Sequence, residues 1–368
     1  MNQNSRLSLY ADLLYVRKGD LVFFYQRRID EPRRERGFRG IYEAVSEPFF
    51  DKEDLDWEGN MVLGKCPSCK GSYSEKTTDD EERKCPICKA SLRHSDHILP
   101  NRVLIRPLEY FERPVDDNTA YINHTNHGML WTMLFRKVYG PGRERSVASL
   151  LPEEGEKLTR LLKRVNEGKT SSFPLNPYLP SSATPIKVEL PDYGRLRYEN
   201  TLMAWMTANI DREYPVLRDV VGPVKELDYF GNNVLYGIGG EKVDLLLLHK
   251  RDVRYKATVI ELKKDSIDRG AIEQITDYSY WVSQLSTANV TPVPTSFELQ
   301  PVVIGYDVAP DIPLVVERIK KEEITIPYEK PCRVRIYKPI LITYRVEDRQ
   351  MEFEIQEKLS RGSSLDHA

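Results

Sequence analysis

The stretch "EKVDLLLLHKRDVRYKATVIELKK", residues 241–264, limits the fold more sharply than any other part of the chain. It holds two apolar runs, Leu245 to Leu248 and Ala257 to Ile260, joined by a polar link. Runs this short, bounded by charge, have the pattern of two neighbouring buried strands. The first is entered through Asp244, and the second leaves through Glu261, Leu262 and Lys263. Charges at the rim of a buried strand pair are costly unless paired or bound to something. The fold must supply a reason for two carboxylates and a lysine to gather there.

The flanking segments alternate in type. "YGRLRYENTLMAWMTANI" sets Leu196, Leu202, Trp205 and Met206 on one helical face, and "DSIDRGAIEQITDYSYWVSQL" reads as a second helix. "PVVIGYDV" reads as a strand, "PLVVERIKKEE" as a short helix and "RVRIYKPILITYRVEDRQMEFEIQ" as late strand structure. Helix, strands, helix, strand, helix is an α/β order. Upstream, residues 168–191, "GKTSSFPLNPYLPSSATPIKVELP", carry five prolines and four serines and read as an extended linker. The 368 residues thereby divide into a domain over 1–167 and a domain over 192–360, in keeping with a length that one core rarely serves. The tail "RGSSLDHA", residues 361–368, is expected to be disordered.

In the first half, "DLVFFYQ", "FRGIYEAVSEPFF" and "RVLIRPLEYF" read as strands, and "GMLWTMLFRKVYG" as a helix. "PEEGEKLTRLLKRVNEG" reads as another helix, with Leu158, Leu161, Leu162 and Val165 in phase and Gly168 as its stop. No apolar stretch approaches the roughly 20 residues of a membrane span, so no membrane partner is expected. The polar N-terminus is unlike a secretion signal, which points to the cytoplasm. A net charge of −2 neither favours nor excludes nucleic acid, so local patches must carry that case.

Four of the five cysteines form "CPSCKGSYSEKTTDDEERKCPICK", two C-x2-C turns fifteen residues apart. Each turn offers two thiolates to one metal, so Cys66, Cys69, Cys85 and Cys88 are expected to hold a structural zinc in a ribbon at about 60–95. With all four positions filled by protein, such a site is structural rather than catalytic. The fifth, Cys332, reads as a small core residue.

On adjacent strands Asp244 and Glu261 can point to one side, and Lys263, two residues on, points the same way as Glu261. Two carboxylates that close repel, and a divalent cation relieves the repulsion. Oxygen ligands favour magnesium or manganese, and the lysine can hold or deprotonate a water beside the metal. That is equipment for metal-assisted hydrolysis of a phosphodiester. Solvated strand ends with ordinary salt bridges are the plain alternative. Lys264, Asp265 and Asp268 read as solvated charges.

The constellation resembles the PD-(D/E)XK nuclease superfamily, with Asp244, sixteen residues, then Glu261-Leu262-Lys263, although the usual proline before the aspartate is missing. "QITDY", Gln274 to Tyr278, matches the Q-x3-Y element of the RecB-like branch, and Glu199 in "RYENTLMAWM" stands where that family has a helix glutamate. Residues 192–305 look most like the catalytic domain of archaeal and actinobacterial mismatch-type endonucleases. The resemblance implies a restriction-endonuclease-like α/β fold. It implies that Asp244, Glu261 and the Leu262 carbonyl bind the catalytic metal, that Lys263 positions or activates water, that Glu199 adds an outer contact, and that Gln274 and Tyr278 orient the site or the DNA backbone.

The first half, "KGDLVFFYQ … RGFRGIYEAVSEPFFD" with "HILPNRVLIRPLEYFERPV", resembles the PUA-like group that includes the EVE domain. The resemblance implies a small β-barrel with the zinc ribbon inserted, and a cleft for a flipped or modified base. Tyr25, Trp57 and Trp131 are the candidate walls, with Asn123 and His124 as polar partners; core packing is the alternative for each. The loop "RRIDEPRRERGFR" carries Arg27, Arg28, Arg33, Arg34, Arg36 and Arg39 against three acids, which suits phosphate contacts or a charged hairpin tip.

The expectation is a multidomain DNA endonuclease, directed to a modified base, lesion or mismatch. Double-strand cleavage favours a homodimer, with "TSFELQPVVIGYDV" as an apolar edge. No G-x4-G-K-[ST] loop occurs, so any NTP use would fall to a separate NTPase partner. The other readings are a non-catalytic nucleic-acid binder on a nuclease-like fold, and an RNA-processing factor.

Overall fold

The computed structural model describes residues 3–26, 36–51, 64–65, 68, 72–73, 88, 101–116, 119–120, 147, 149–172, 180, 183–210, 214–223, 226–236, 241–251, 254–289, 295–326 and 331–356. Helix α1 (Gln3–Leu14) opens the chain, followed by strands β1 (Gly37–Ala44) and β2 (Ile105–Val115) and helices α2 (Pro152–Val165), α3 (Glu199–Asn209) and α4 (Pro215–Val221). Then come β3 (Leu227–Tyr236), β4 (Glu241–Arg251), β5 (Arg254–Leu262), α5 (Arg269–Asn289), β6 (Ser296–Gly305) and α6 (Ile312–Arg318). Strands β7 (Glu322–Ile326), β8 (Cys332–Ile336), β9 (Ile340–Glu347) and β10 (Gln350–Ile355) end the described chain. The architecture is mixed α/β.

A nine-stranded sheet organises the second half. Its path runs from the bridge Tyr193–Gly194 through β9, β6, β5 and β4 to β3. Strands β4 and β5 are antiparallel, with Leu245 opposite Ile260, whereas β5 and β6 are parallel and joined through α5. Along its other side β6 pairs first with β8 and then with β9, both parallel. Gln300 fastens the break between them, donating from Nε2 to Lys338 O at 2.9 Å. The run "TSFELQPVVIGYDV" is therefore central, paired on both sides, and offers no free edge to a second copy. Its apolar sequence reflects burial on both faces.

That double burial explains the leucine run. Leu245, Leu247, Ile260, Leu262, Val302 and Ile304 pack with residues of α1, α3 and α4. Leu246, Leu248, Ala257, Val259, Leu299 and Val303 pack with Ala271, Ile272 and Ile275 of α5. Each fully buried leucine contributes about 1.5–3 kcal/mol relative to exposure. Cys332 is buried in β8, as its strand context predicts.

In the first half, β1 pairs with β2 on one side and with the bridges Leu21–Val22 and Tyr25–Gln26 on the other. Helix α2 covers this sheet, setting Leu158, Leu161 and Leu162 against Phe38, Ile41, Phe111 and Val115. The single strand expected over "DLVFFYQ" is thus two bridges. Among the described residues this sheet is an open path of four strands. The helix expected over "GMLWTMLFRKVYG" and the tail 361–368 lie outside the described residues.

Several contacts join the halves. Ala11 and Leu14 of α1 share a core with Leu202, Met203 and Trp205 of α3, and Asn232 Nδ2 donates to Ala11 O at 2.9 Å. Leu151, which precedes α2, lies in the core beneath α5. The proline-rich segment is docked over its second part: Thr184–Pro185 pairs with Phe49–Phe50, and Ile186, Val188 and Leu190 pack on the α1/α3 core. Prolines keep this segment out of a long ladder. The alternating apolar residues were the sequence signal that it is bound.

Candidate active site

The last paired residues of β4 and β5 are Leu245 and Ile260, so the same register sets Asp244 opposite Glu261. The Leu262 N–H donates to Asp244 Oδ2 at 2.7 Å, which closes the strand pair and fixes that carboxylate. Glu261 is 4% exposed. Lys263 follows on the same side, and its ammonium donates to Glu261 Oε1 at 2.7 Å and to Gln274 Oε1 of α5 at 2.9 Å. Strand pleat, register and the first turns of α5 together assemble the four groups at the C-terminal ends of parallel strands, where α/β sheets commonly bind ligands.

Glu199 is the first residue of α3, which packs on the other face of the sheet. Its carboxylate lies near the Lys264 backbone and in the field of Lys263. Glu199, Asp244 and Glu261 feel one another's charge. Among the described residues, no three His, Cys, Asp or Glu side chains converge tightly enough to form a metal cluster. Asp244 and Glu261 are the closely opposed pair, with Glu199 flanking. Tyr278, one turn beyond Gln274, is buried with the α5 core rather than open to solvent.

Burial pushes the Asp244 carboxyl well above the usual range, and the Glu261 charge adds to the rise. Burial also raises Glu261, against the stabilising field of Lys263. Burial raises Glu199 in the same way. At Lys263 burial acts downward, but the surrounding carboxylates, Glu261 first, outweigh it and raise its pKa. Lys263 is therefore an ammonium at neutral pH. Glu261 Oε2 is buried and has no hydrogen-bond partner. The two facing carboxyls are near enough for a hydrogen bond if one is protonated. A shared proton or a cation is what such a pair requires.

The turn after Lys263 is pinned on several sides. Lys263 N donates to Ile304 O at 2.8 Å, Tyr306 N to Asp265 O at 2.9 Å, and the Tyr344 hydroxyl to Lys264 O at 2.8 Å. Gly305 permits this packing, since a Cβ there would lie 2.6 Å from Ile267 Cγ1. Asp265 pairs with Arg195 at 2.6 Å and Lys264 at 3.0 Å. Asp268 caps α5, accepting the Ala271 N–H at 2.9 Å. Tyr344 stands 80 residues beyond Lys264, so no local signal marks its role.

The predicted first-half residues are less assembled. Tyr25 packs edge-on against Phe38, with ring centroids 5.0 Å apart, as part of the core under α2. Arg39 donates to the Glu112 carbonyl within the sheet. Arg36 lies just before β1. Arg27, Arg28, Arg33, Arg34, Trp57, Trp131, Asn123 and His124 lie outside the described residues, as do Cys66, Cys69 and Cys85; Cys88 is exposed.

No family model, curated protein or solved structure matches this chain.

Proposed function

We propose that the chain is a metal-dependent DNA endonuclease with a PD-(D/E)XK-type site. One observation carries the reading. A buried glutamate, with one oxygen held by a lysine and the other unpartnered, faces a second carboxylate across an antiparallel strand pair at the rim of a mixed sheet. Magnesium takes one or two protein carboxylates and completes its shell with water and substrate phosphate, so a two-carboxylate donor set fits it. Asp244, Glu261 and the Leu262 carbonyl would hold magnesium or manganese there, supplying charge neutralisation for the phosphate and a more acidic water.

The chain's own residues do the rest. The Leu262 N–H holds Asp244 in place, leaving the facing side of the pair for a cation. Lys263, held beside Glu261, would orient or activate the attacking water and offset charge on the phosphate. Gln274 keeps that ammonium beside Glu261. Glu199, at the start of α3, adds its charge to the field around Lys263.

In this reading residues 1–167 form a PUA-like reader with a zinc ribbon, which delivers a modified base or other DNA feature to a restriction-endonuclease-like domain. The test is cleavage of unmodified and cytosine-modified plasmid with magnesium or manganese, alongside Glu261→Gln and Lys263→Met. Metal-dependent cutting that both substitutions abolish, with DNA affinity kept, is the expected result. Cutting of only the modified plasmid supports the reader. A wild-type chain that binds but never cuts any DNA, RNA or modified substrate would place it among non-catalytic binders.

A further inference from the structure

Beside the candidate site stands a buried hydroxyl that the proposed chemistry does not use. Strands β6 and β9 pair in parallel only as far as Gly305 and Thr343. Farther on, β9 takes the bridge Tyr193–Gly194 as its neighbour, at Glu347 and Val346. Tyr344 lies between these two pairings. Its side chain is wholly buried, with the ring edge-on to Tyr306 at 5.8 Å between centroids.

The hydroxyl meets two backbone groups. It donates to Lys264 O at 2.8 Å and accepts the Leu196 N–H at 3.3 Å. Its one hydrogen is thereby used, and the group is satisfied both as donor and as acceptor. Burial pushes its pKa up to about 12, so it remains a donor across the neutral range. The two partners belong to the two segments that bring charge to the site. Lys264 follows Lys263, and Leu196 precedes Glu199 by three residues. The same segments meet again at the surface, where Arg195 pairs with Asp265, but those side chains are 63% and 46% exposed. An ion pair so open to water holds little. Loss of the Tyr344 hydroxyl would instead strand a buried N–H and a partly buried carbonyl, which is costly.

We infer that Tyr344 is a positioning residue: its hydroxyl sets the turn that carries Lys263 against the segment that carries Glu199, and so fixes the Lys263 ammonium at the Asp244–Glu261 pair. Tyr344 itself would touch neither cation nor phosphate. The inference rests on the nuclease reading for the step it serves, but the tie is measured apart from cutting.

The test uses the full chain. Tyr344→Phe removes only the hydroxyl. Tyr229→Phe removes another buried hydroxyl, bonded to Ser149 at 2.7 Å, and serves as the control. Thermal melting checks the fold of each. Should Tyr344→Phe not melt cooperatively, 4-fluorophenylalanine at position 344 fills the place of the hydroxyl without a donor. The first readout is hydrogen–deuterium exchange over residues 193–199 and 263–268 in metal-free buffer. In Tyr344→Phe it should quicken roughly 5-fold in both stretches, the factor that one ordinary hydrogen bond represents in local opening. The second readout is plasmid cleavage with magnesium or manganese. There kcat should fall on the order of 10- to 100-fold while KM and DNA affinity stay unchanged. Placing 4-aminophenylalanine at position 344, which restores a donor, should recover most of the lost kcat.

Unchanged exchange in folded Tyr344→Phe would overturn the proposal. So would faster exchange with kcat intact, a loss confined to KM, or an equal effect in Tyr229→Phe. If the wild type cuts DNA and Tyr344→Phe matches it in exchange and kcat, only the role of Tyr344 fails. If Tyr344→Phe exchanges faster in both stretches but the wild type never cuts with any metal, the tie stands and the nuclease reading fails.

Discussion

Replacing Asp244 with asparagine should make the metal-free protein more stable while removing its response to divalent cations. The asparagine carbonyl can still accept the Leu262 N–H now bound at 2.7 Å. What disappears is a carboxylate facing Glu261 across an antiparallel pair, where opposed side chains begin about 5 Å apart. Two unit charges at that distance, at an effective permittivity of about 20, repel by about 3 kcal/mol. Asp244 is half-buried, so water on its open side reduces this, and Lys263 offsets part of it; about 2 kcal/mol remains as the expected gain. For a domain of this size that is about 4–8 °C in melting temperature.

The pH dependence follows from the raised Asp244 pKa. A carboxyl raised by folding keeps its proton longer in the native state than in the unfolded chain. Above the unfolded value of about 3.9 the wild type therefore loses stability as pH rises towards the native value, whether by repulsion or by proton uptake. The gain from Asp244→Asn should be largest at pH 8 and shrink on going to pH 5. Urea and thermal unfolding of both proteins at the two pH values, with and without manganese, measure it. Manganese should stabilise the wild type and leave the variant unmoved. A metal-free variant less stable than wild type at pH 8 would refute the electrostatic reasoning.

Two further outcomes are expected. Lys250 and Glu153 form an ion pair between β4 and α2, with side chains 19% and 9% exposed, and Glu153 Oε2 has no other partner. Lys250→Met alone should cost about 3–5 kcal/mol by leaving that carboxylate uncompensated, and Lys250→Met/Glu153→Leu should recover most of it; urea denaturation decides, and equal loss in both would show that charge is not the cause. The purified chain should carry one zinc per molecule by elemental analysis, and Cys66→Ser or Cys85→Ser should lose it. A metal-free wild type would remove the ribbon.

The core of the candidate site was legible because it depends on local rules. The apolar runs marked β4 and β5, and the pleat put Lys263 with Glu261; Gln274 was named only through the resemblance of its QITDY segment to a Q-x3-Y element. What the sequence could not show depends on distant residues. Nothing near Lys264 announces that Tyr344 binds its carbonyl. The segment "PVVIGYDV" was readable as a strand but not as part of a central one beginning at Ser296, because apolar edges and buried strands share a composition. The linker was readable as proline-rich, while its docking depends on Ile186, Val188 and Leu190 meeting helices from both halves.

Those distant contacts also explain how a site at a strand end can be held rigid without a metal. Lys263 sits at the start of a loop, where side chains are ordinarily mobile. Here the Lys263 N–H binds β6, the Lys264 carbonyl binds Tyr344 of β9, and the Asp265 carboxylate binds Arg195 of the segment before α3. The ammonium is then restrained by Glu261 behind it and Gln274 beside it. In the proposed reaction such restraint would matter, because a donor already aimed at the phosphate need not be reorganised. It also makes the charged turn a junction between α3, the sheet and α5.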